Sequence, residues 1–417
     1  MMHGICRFTR RVAPVLAPAL VLAVGCREEA TTPSAPASGP ALEMVPAQVL
    51  SFRQVSPGGI HTCGVTTDNR AYCWGLNNEG QLGNGGDTGP ESCFDRPCST
   101  RPVAVIGGLR FQQVSAGGEH ACGVTTADRA FCWGRNAHGQ LGNGTFQDRS
   151  RPVAVAGGLR FRRVSAGGFH TCGVTLDDRA YCWGRNDQGR LGDGTIGGER
   201  PVPVAVTGGL RFLQVSAGDD HSCGVTTANR VFCWGNNSWG QLGEGHAVAE
   251  SPTPLAITSG RRFSRVSTGR DFQRAFTCAV TTDDRAFCWG NGRLGQIGDG
   301  RRFLRFTPRA VIGQHRFLEV VAGGSHTCGV TTANRGFCWG VNNAGQLGDG
   351  TTEILTAEPS PVAGGRAFRQ ARAGAFHSCG VTTANRAFCW GSNFNGALGD
   401  GTTTDRFTPV PVGSPAS

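Results

Sequence analysis

Fourteen of the eighteen cysteines stand in seven pairs, each ten positions apart around a polar turn, as in CGVTTDNRAYCWG at residues 63–75. The pairs are Cys63 with Cys73, Cys122 with Cys132, Cys172 with Cys182, Cys223 with Cys233, Cys278 with Cys288, Cys328 with Cys338, and Cys379 with Cys389. Paired cysteines hold a metal as thiolates or close a disulfide. Zinc-binding pairs are typically about two to four residues apart, so that both sulfurs reach one ion. Ten residues is instead a hairpin span. With Thr67, Asp68 and Asn69 as a three-residue loop, Val65 faces Ala71 and Cys63 faces Cys73. The third loop residue must then be left-handed, which Asn, Asp and Gly tolerate best. In the seven copies it is Asn69, Asp128, Asp178, Asn229, Asp284, Asn334 and Asn385. The cysteines fall on a non-hydrogen-bonded pair, where opposing side chains are closest. Each such disulfide contributes roughly 2–3 kcal/mol by chain entropy.

Six copies also place a histidine two positions before the first cysteine: His61, His120, His170, His221, His326 and His377. A ring of imidazoles in a central channel would bind a metal. Because the residue belongs to the repeat, it reads instead as satisfying backbone groups beside its Gly-Gly bend. Asp193, Asp299, Asp349 and Asp400 sit between glycines and read as turn formers rather than calcium ligands. The chain has no nucleophile elbow, zinc-protease helix or phosphate loop. No cofactor, metal site or catalysis is expected.

The elements that position these groups follow from the repeat. First cysteines are spaced 59, 50, 51, 55, 50 and 51 residues apart. Within one unit, RRVSA alternates before Gly-Gly, HTCGVT and RAYCWG form the hairpin, GRLGDGT is turn material, and PVPVAV is a strand whose prolines suit an edge. Four short strands per unit of about fifty residues make a propeller blade. The expected fold is all-β: a seven-bladed β-propeller with four-stranded blades and one disulfide-linked hairpin per blade. Alternation puts Cys63, Val65, Ala71 and Cys73 on one small face, and Tyr72 and Trp74 on a bulky one, so neighbouring blades should pack large against small. Either residues 46–49 (PAQV) or 409–412 (PVPV) should complete a terminal blade.

Disulfides require an oxidising compartment, and the N-terminus offers a route to one. A basic start with Arg7, Arg10 and Arg11 precedes a fourteen-residue apolar stretch ending in LAVGC, too short for a spanning helix. It resembles a bacterial lipobox, with Cys26 as the lipidated residue, although Ala23 stands where the pattern prefers Leu. Residues 1–25 are then a lipoprotein signal peptide, 26–45 a flexible Ala/Pro/Ser-rich tether, and 46–417 the propeller. Cys6 leaves with the signal, and Cys93 and Cys98 pair within an insertion. The formal charge of +10 falls to +7 without the three arginines of the signal. There is no lysine, and a repeated arginine follows each turn. A basic total multiplied by repetition does not indicate nucleic acid, and none is expected as a partner.

The unit VSAGGxHTCGVTxxxRAYCWGxNxxGQLGDG resembles the repeat of the regulator of chromosome condensation (RCC) family, which carries a similar Gly-Gly-x-His, Trp-Gly and Gly-Gln-Leu-Gly. The resemblance covers all seven units and implies a seven-bladed propeller. The family usually has Leu at the position of Cys63 and Gly at that of Asn69. The chain therefore looks like an exported, disulfide-stapled version, to which nuclear guanine-nucleotide exchange does not carry over.

Repeated residues build the fold, so specific binding is expected where units differ. Three departures qualify: the insertion GGDTGPESCFDRPCST, which lifts Phe94; Trp239 in NNSWGQLG; and the fifth unit, with Arg270, Phe272, Arg274, Arg301, Arg302 and Arg305. Aromatics and arginines are typical interface anchors. The expectation is a monomeric, lipid-anchored protein of the cell envelope that binds a protein partner. A carbohydrate-binding propeller or an enzyme with a site on one face are the alternatives.

Overall fold

The computed structural model describes residues 49–246, 249–271 and 273–416. Cys26, the signal and tether segments, Pro46 to Gln48 and Phe272 lie outside the described residues. Seven antiparallel sheets follow one another along the chain, each built from consecutive strands. Blade 1 contains β1 (Phe52–Pro57), β2 (His61–Thr66), β3 (Ala71–Leu76), β4 (Glu91–Cys93) and β5 (Arg96–Ala104), in the order β1-β2-β3-β5-β4. The other six blades have four strands each, over residues 111–154, 161–205, 212–256, 263–310, 317–361 and 368–411. The four-strand pattern thus runs through the ring. Blade 1 departs from it with a fifth, edge strand, because its insertion folds back on itself through the disulfide between Cys93 and Cys98. The first strand of every blade lines a central channel.

The hairpins have the register that the turn chemistry requires. Cys63 pairs with Cys73, Gly64 with Tyr72 and Val65 with Ala71, and the other blades repeat this. All seven third loop residues are left-handed, from φ 59° at Asp128 to 67° at Asn69. A disulfide closes every hairpin. In blades 1 to 4 it joins Cys63 to Cys73, Cys122 to Cys132, Cys172 to Cys182, and Cys223 to Cys233. In blades 5 to 7 it joins Cys278 to Cys288, Cys328 to Cys338, and Cys379 to Cys389. The Cα atoms of these pairs are 4.0–4.1 Å apart, the close spacing of a non-hydrogen-bonded pair. Every bridge stays within its own blade, and none of the fourteen sulfurs is left to ligate a metal.

The two faces of a blade are unequal, and that inequality makes the core. The disulfide, Val65 and Ala71 of blade 1 pack on Phe111 and Trp133 of blade 2. The disulfide, Val174 and Ala180 of blade 3 meet Phe212 and Trp234 of blade 4 in the same way. The last seam is no different: Cys379, Cys389, Val381 and Ala387 of blade 7 lie under Phe52, Tyr72 and Trp74 of blade 1. Within each bulky face the aromatic rings meet at an angle, for example Phe161 and Trp183 with centroids 5.8 Å apart.

Ring closure therefore needs no strand exchange. Residues 406–411 form the outer strand of blade 7, which assigns the PVPV segment, whereas Val49 lies outside any strand. Blade 1 is joined to blade 7 by the bonds that recur around the ring, of which only the tryptophan bond is missing at one other seam, where Trp234 Nε1 has no partner. Phe52 N–H donates to Asn385 O (2.8 Å), Gly401 N–H to Thr100 O (2.9 Å) and Trp74 Nε1–H to Ala397 O (2.9 Å). The tryptophan needs a close approach: a Cβ on Gly142, itself at φ +69°, would stand 2.6 Å from Trp183 Nε1.

A polar strip runs beside the apolar one. Thr171 Oγ1–H donates to the carbonyl of Gln140 (2.9 Å), as does Trp183 Nε1–H (2.9 Å). With its proton committed there, the hydroxyl accepts from His120 Nε2–H at 2.9 Å. The same relay joins His170 to Ser222, His221 to Thr277, His326 to Ser378 and His377 to Thr62. It fails once. The repeat brings Ala121 opposite His61, and neither ring nitrogen of His61 has a partner. An unpaired buried donor is costly, and a regained hydrogen bond contributes about 1 kcal/mol. Ala121→Thr is thus expected to stabilise the fold by about that amount in chemical denaturation, with His61→Leu removing the gain. A destabilised Ala121→Thr protein would contradict the relay.

Candidate functional site

At the end of the channel where the Gly-Gly bends lie, the repeat is interrupted. Blades 1, 2, 3 and 6 place Gly59, Gly118, Gly168 and Gly324 there, whereas blade 4 has Asp219, blade 7 Ala375 and blade 5 Arg270. The Arg270 guanidinium crosses the ring and donates to the carbonyls of Ala116 (2.5 Å) and Ala166 (3.3 Å), in blades 2 and 3. Removal from water lowers its pKa to about 10, against the favourable charge of Asp219. The Asp219 carboxyl is pushed up to about 7, first by desolvation and then by Asp220, while Arg270 pulls the other way. A Cβ on Gly168 would lie 2.4 Å from Asp219 Oδ1, so glycine leaves room for this carboxylate.

Arg270 borders two cavities and so divides the channel. The one at this end, about 550 Å³, is walled by Ile60, Phe169 and Phe376, with Glu119, Arg135, Asp271 and Gln273 beside them. Ile60, Glu119, Phe169 and Phe376 are the variable residues of Gly-Gly-x-His. Consecutive copies are some fifty residues or more apart in sequence; ring closure gathers them around one mouth. Phe376 is 53% exposed. Phe169 is held by the His138 ring at 5.4 Å and the Arg185 guanidinium at 5.7 Å, and Glu119 pairs with Arg135. The result is an apolar socket with a charged fringe and a carboxyl that titrates near neutrality. It suits an apolar side chain that brings a polar neighbour.

The structure brings only part of the expected binding set to this mouth. Arg270 forms its floor, and Arg274 lies at its edge, donating to Ser325 Oγ (3.2 Å). Trp239 stands elsewhere on blade 4, half-buried, with the Arg293 guanidinium 5.3 Å from its ring centroid. Arg301 and Arg302 are exposed beside Phe303. Arg305 turns inward, its Nε 2.6 Å from Asp299. Arg200 with Asp193 and Arg406 with Asp400 make the same pair in their blades, so Arg305 belongs to the repeat. Phe94, 70% exposed, caps the clasped insertion of blade 1. Ile60, Phe169 and Phe376 were missed by sequence reasoning. Their signal was the x of Gly-Gly-x-His, which changes in nearly every copy.

A family model described as the RCC1-like domain matches residues 21–272 and, overlapping it, 157–416. The chain belongs to the RCC1-like domain family. Human E3 ubiquitin-protein ligase HERC2 is 26% identical over 312 residues, covering 73% of this chain and 6% of that protein. The ultraviolet-B receptor UVR8 of Arabidopsis thaliana is 28% identical over 364 residues, 86% of this chain and 57% of the receptor. The chain thus spans only part of these relatives. Among solved structures, human WBSCR16 gives a TM-score of 0.72 at 22% identity, covering 82% of this chain and 94% of that one. Yeast RCC1 (Prp20), solved bound to Kap60, gives 0.70 at 20% identity, covering 82% and 83%. At such identities the likeness shows the fold alone, a fold of a kind used as a protein-interaction module.

In this RCC1-like propeller the repeated histidines lie in the seams, not around the channel. Among the described residues, no three His, Cys, Asp or Glu side chains are grouped to hold a metal ion. The turn aspartates bond locally: Asp349 accepts from Thr351 N–H (3.0 Å) and Asp400 from Arg406 Nε–H (2.9 Å). Burial drives the pKa of His61, His120, His326 and His377 from 6.5 to about 3. The unfolded chain then binds protons that the folded one refuses between these values, so stability falls as pH drops from 6.5 toward 3. His170 is lowered too, while Asp219, whose folded pKa is raised, acts in the opposite sense between 3.8 and about 7, and the histidines outnumber it. The melting temperature is expected to fall already between about pH 6.5 and 5, where exposed carboxylates remain ionised. A flat profile there would contradict neutral buried imidazoles.

Proposed function

We propose that this propeller is a non-catalytic protein-interaction module, exported and held at a membrane through lipid on Cys26, and that the partner docks on the mouth above Arg270. The observation that carries the reading is the socket of Ile60, Phe169 and Phe376, built from residues at a position whose identity varies between repeats. A half-exposed aromatic over an apolar wall with a charged fringe matches the anchor chemistry of protein interfaces. The Kap60 complex of yeast RCC1 and the study of Prp20p binding to Gsp1p and histones support a binding role for the scaffold, without carrying those partners over. The eight disulfides among the described residues support an oxidising compartment. The carbohydrate reading is weaker, because the aromatic socket occurs once and not in several blades.

A photo-crosslinking residue at Phe376 is expected to capture a partner from the cell envelope. The same residue at exposed Leu176, in a hairpin turn away from the mouth, should not. Equal capture at both, or none at Phe376, overturns the docking site. Independently, the intact mass of membrane-extracted protein should show acyl chains that Cys26→Ser removes. Unchanged membrane partitioning of Cys26→Ser would refute the anchor.

A further inference from the structure

The channel below Arg270 is a separate cavity of about 620 Å³, lined by the first strands of the blades. Its wall shows where the repeat has given up structure. In four blades the third residue of that strand is glutamine, and its amide ties the strand to the next blade. Gln54 Nε2–H donates to Val114 O (2.8 Å), Gln113 to Val164 O (2.7 Å) and Gln214 to Val266 O (2.8 Å), while Gln370 Oε1 accepts from Val55 N–H (2.9 Å). Blades 3 and 5 have Arg163 and Arg265 at this position instead, and each forgoes the tie. Two positions further on, serine hydroxyls serve the next blade's backbone, as Ser115 Oγ does for Ala166 N–H (3.0 Å). Blade 7 replaces that serine with Arg372.

These three cations line the same cavity. Arg163 and Arg265 are exposed to it, and neither has a hydrogen bond or an ion pair among the described residues. Arg372 is 3.5 Å from Glu319, the single carboxylate on the wall among the described residues. Arg270 closes the inner end, and Arg53, Arg162 and Arg369, each hydrogen-bonded elsewhere, bring the arginines of the wall to seven. The Arg163 pKa is lowered, by desolvation first and then by Arg265 and Arg372, with Glu319 acting in the opposite sense: the charges repel in a confined space, and one carboxylate offsets only part of that cost. Nε of Arg372 and Oε1 of Glu319 are buried without a partner. Two ties that other blades make are given up for Arg163 and Arg265, and Arg372 stands where the next blade offers Pro57, which has no N–H to tie, so that guanidinium groups surround the cup. Guanidinium forks match phosphate and carboxylate oxygens, and the volume is that of a small-molecule site.

We propose that the channel is a binding cup for a small polyanion of two or more negative charges, a polyphosphate or polycarboxylate, held by Arg163, Arg265 and Arg372. It lies on the other side of Arg270 from the docking mouth and does not depend on it. The probe is inorganic pyrophosphate, titrated calorimetrically into the full-length protein at low ionic strength, with sodium chloride of matched ionic strength as control. One equivalent is expected to bind and raise the melting temperature, and affinity should fall as salt rises. Arg163→Gln with Arg265→Gln should weaken binding at least about tenfold, as two charge-assisted contacts are lost. Both substitutions restore the glutamine of the repeat, so folding is expected to be kept or improved. Glu319→Gln, which removes the opposing charge, should tighten binding. No binding at millimolar pyrophosphate, or binding unmoved by the arginine substitutions, overturns the proposal. So does binding of an acidic peptide at these arginines with none of pyrophosphate, which would assign the cup to a partner's acidic segment.

Discussion

Every part of this molecule depends on one contact: the aromatic face of one blade laid on the disulfide, valine and small residue of the blade before it. The bulky face needs a floor that is small and flat. A cystine on a non-hydrogen-bonded pair supplies one, because its Cα atoms lie only 4.0–4.1 Å apart and it removes side-chain freedom directly under the ring. The disulfide is thus a packing element as well as a covalent one. Its chain-entropy contribution of roughly 2–3 kcal/mol is comparable to burying one large apolar side chain, about 1.5–3 kcal/mol. Since every blade carries one face of each kind, no blade is an end, and the ring closes on the same seam that builds it.

Such a seam constrains the residues that share it and frees those that do not. Histidine and hydroxyl residue are tied across five of the seven interfaces, and tryptophan and carbonyl across six. The residue before each histidine and two channel-facing positions of the inner strand lie outside the apolar seam, and the glutamine and serine ties at the latter are dispensable. Differences between units collect there. The fifth blade shows the limit of this freedom. It replaces its histidine with Phe276 and the second glycine of its bend with Arg270, and its seam with blade 6 still keeps Trp339 on Gln296 O at 3.0 Å. The apolar seam is retained where the polar strip is given up.

This division explains what could be read from the sequence. Hairpin register, disulfide pairing and blade number were legible because each is fixed locally: an Asn or Asp at one turn position sets the register, and the register sets the cysteines. The outer strand of blade 7 was ambiguous because both terminal segments have the alternation of an edge strand, and only the seam with blade 1 distinguishes them. The socket was not legible. Ile60, Phe169 and Phe376 become neighbours only when the ring closes, and no local rule links them. Arg305 was misread for a related reason. Its partner Asp299 is six residues away in the same blade, and the pair becomes recognisable as structural only beside Arg200–Asp193 and Arg406–Asp400.

Arg270 gives the two ends of the channel different chemistry from a single substitution. A glycine at this position would leave the two cavities undivided. The guanidinium instead ends the basic cup and floors the apolar socket, and its charge acts on both. Toward the socket it is opposed by Asp219, whose carboxyl stays near neutrality because burial and Asp220 outweigh the attraction. Toward the cup it adds to Arg163, Arg265 and Arg372, with Glu319 against them. Its two carbonyl partners come from blades 2 and 3, so the side chain also braces the ring across its width. A ligand at either end meets a group held by three blades at once, and a rigid floor lowers the ordering cost of binding.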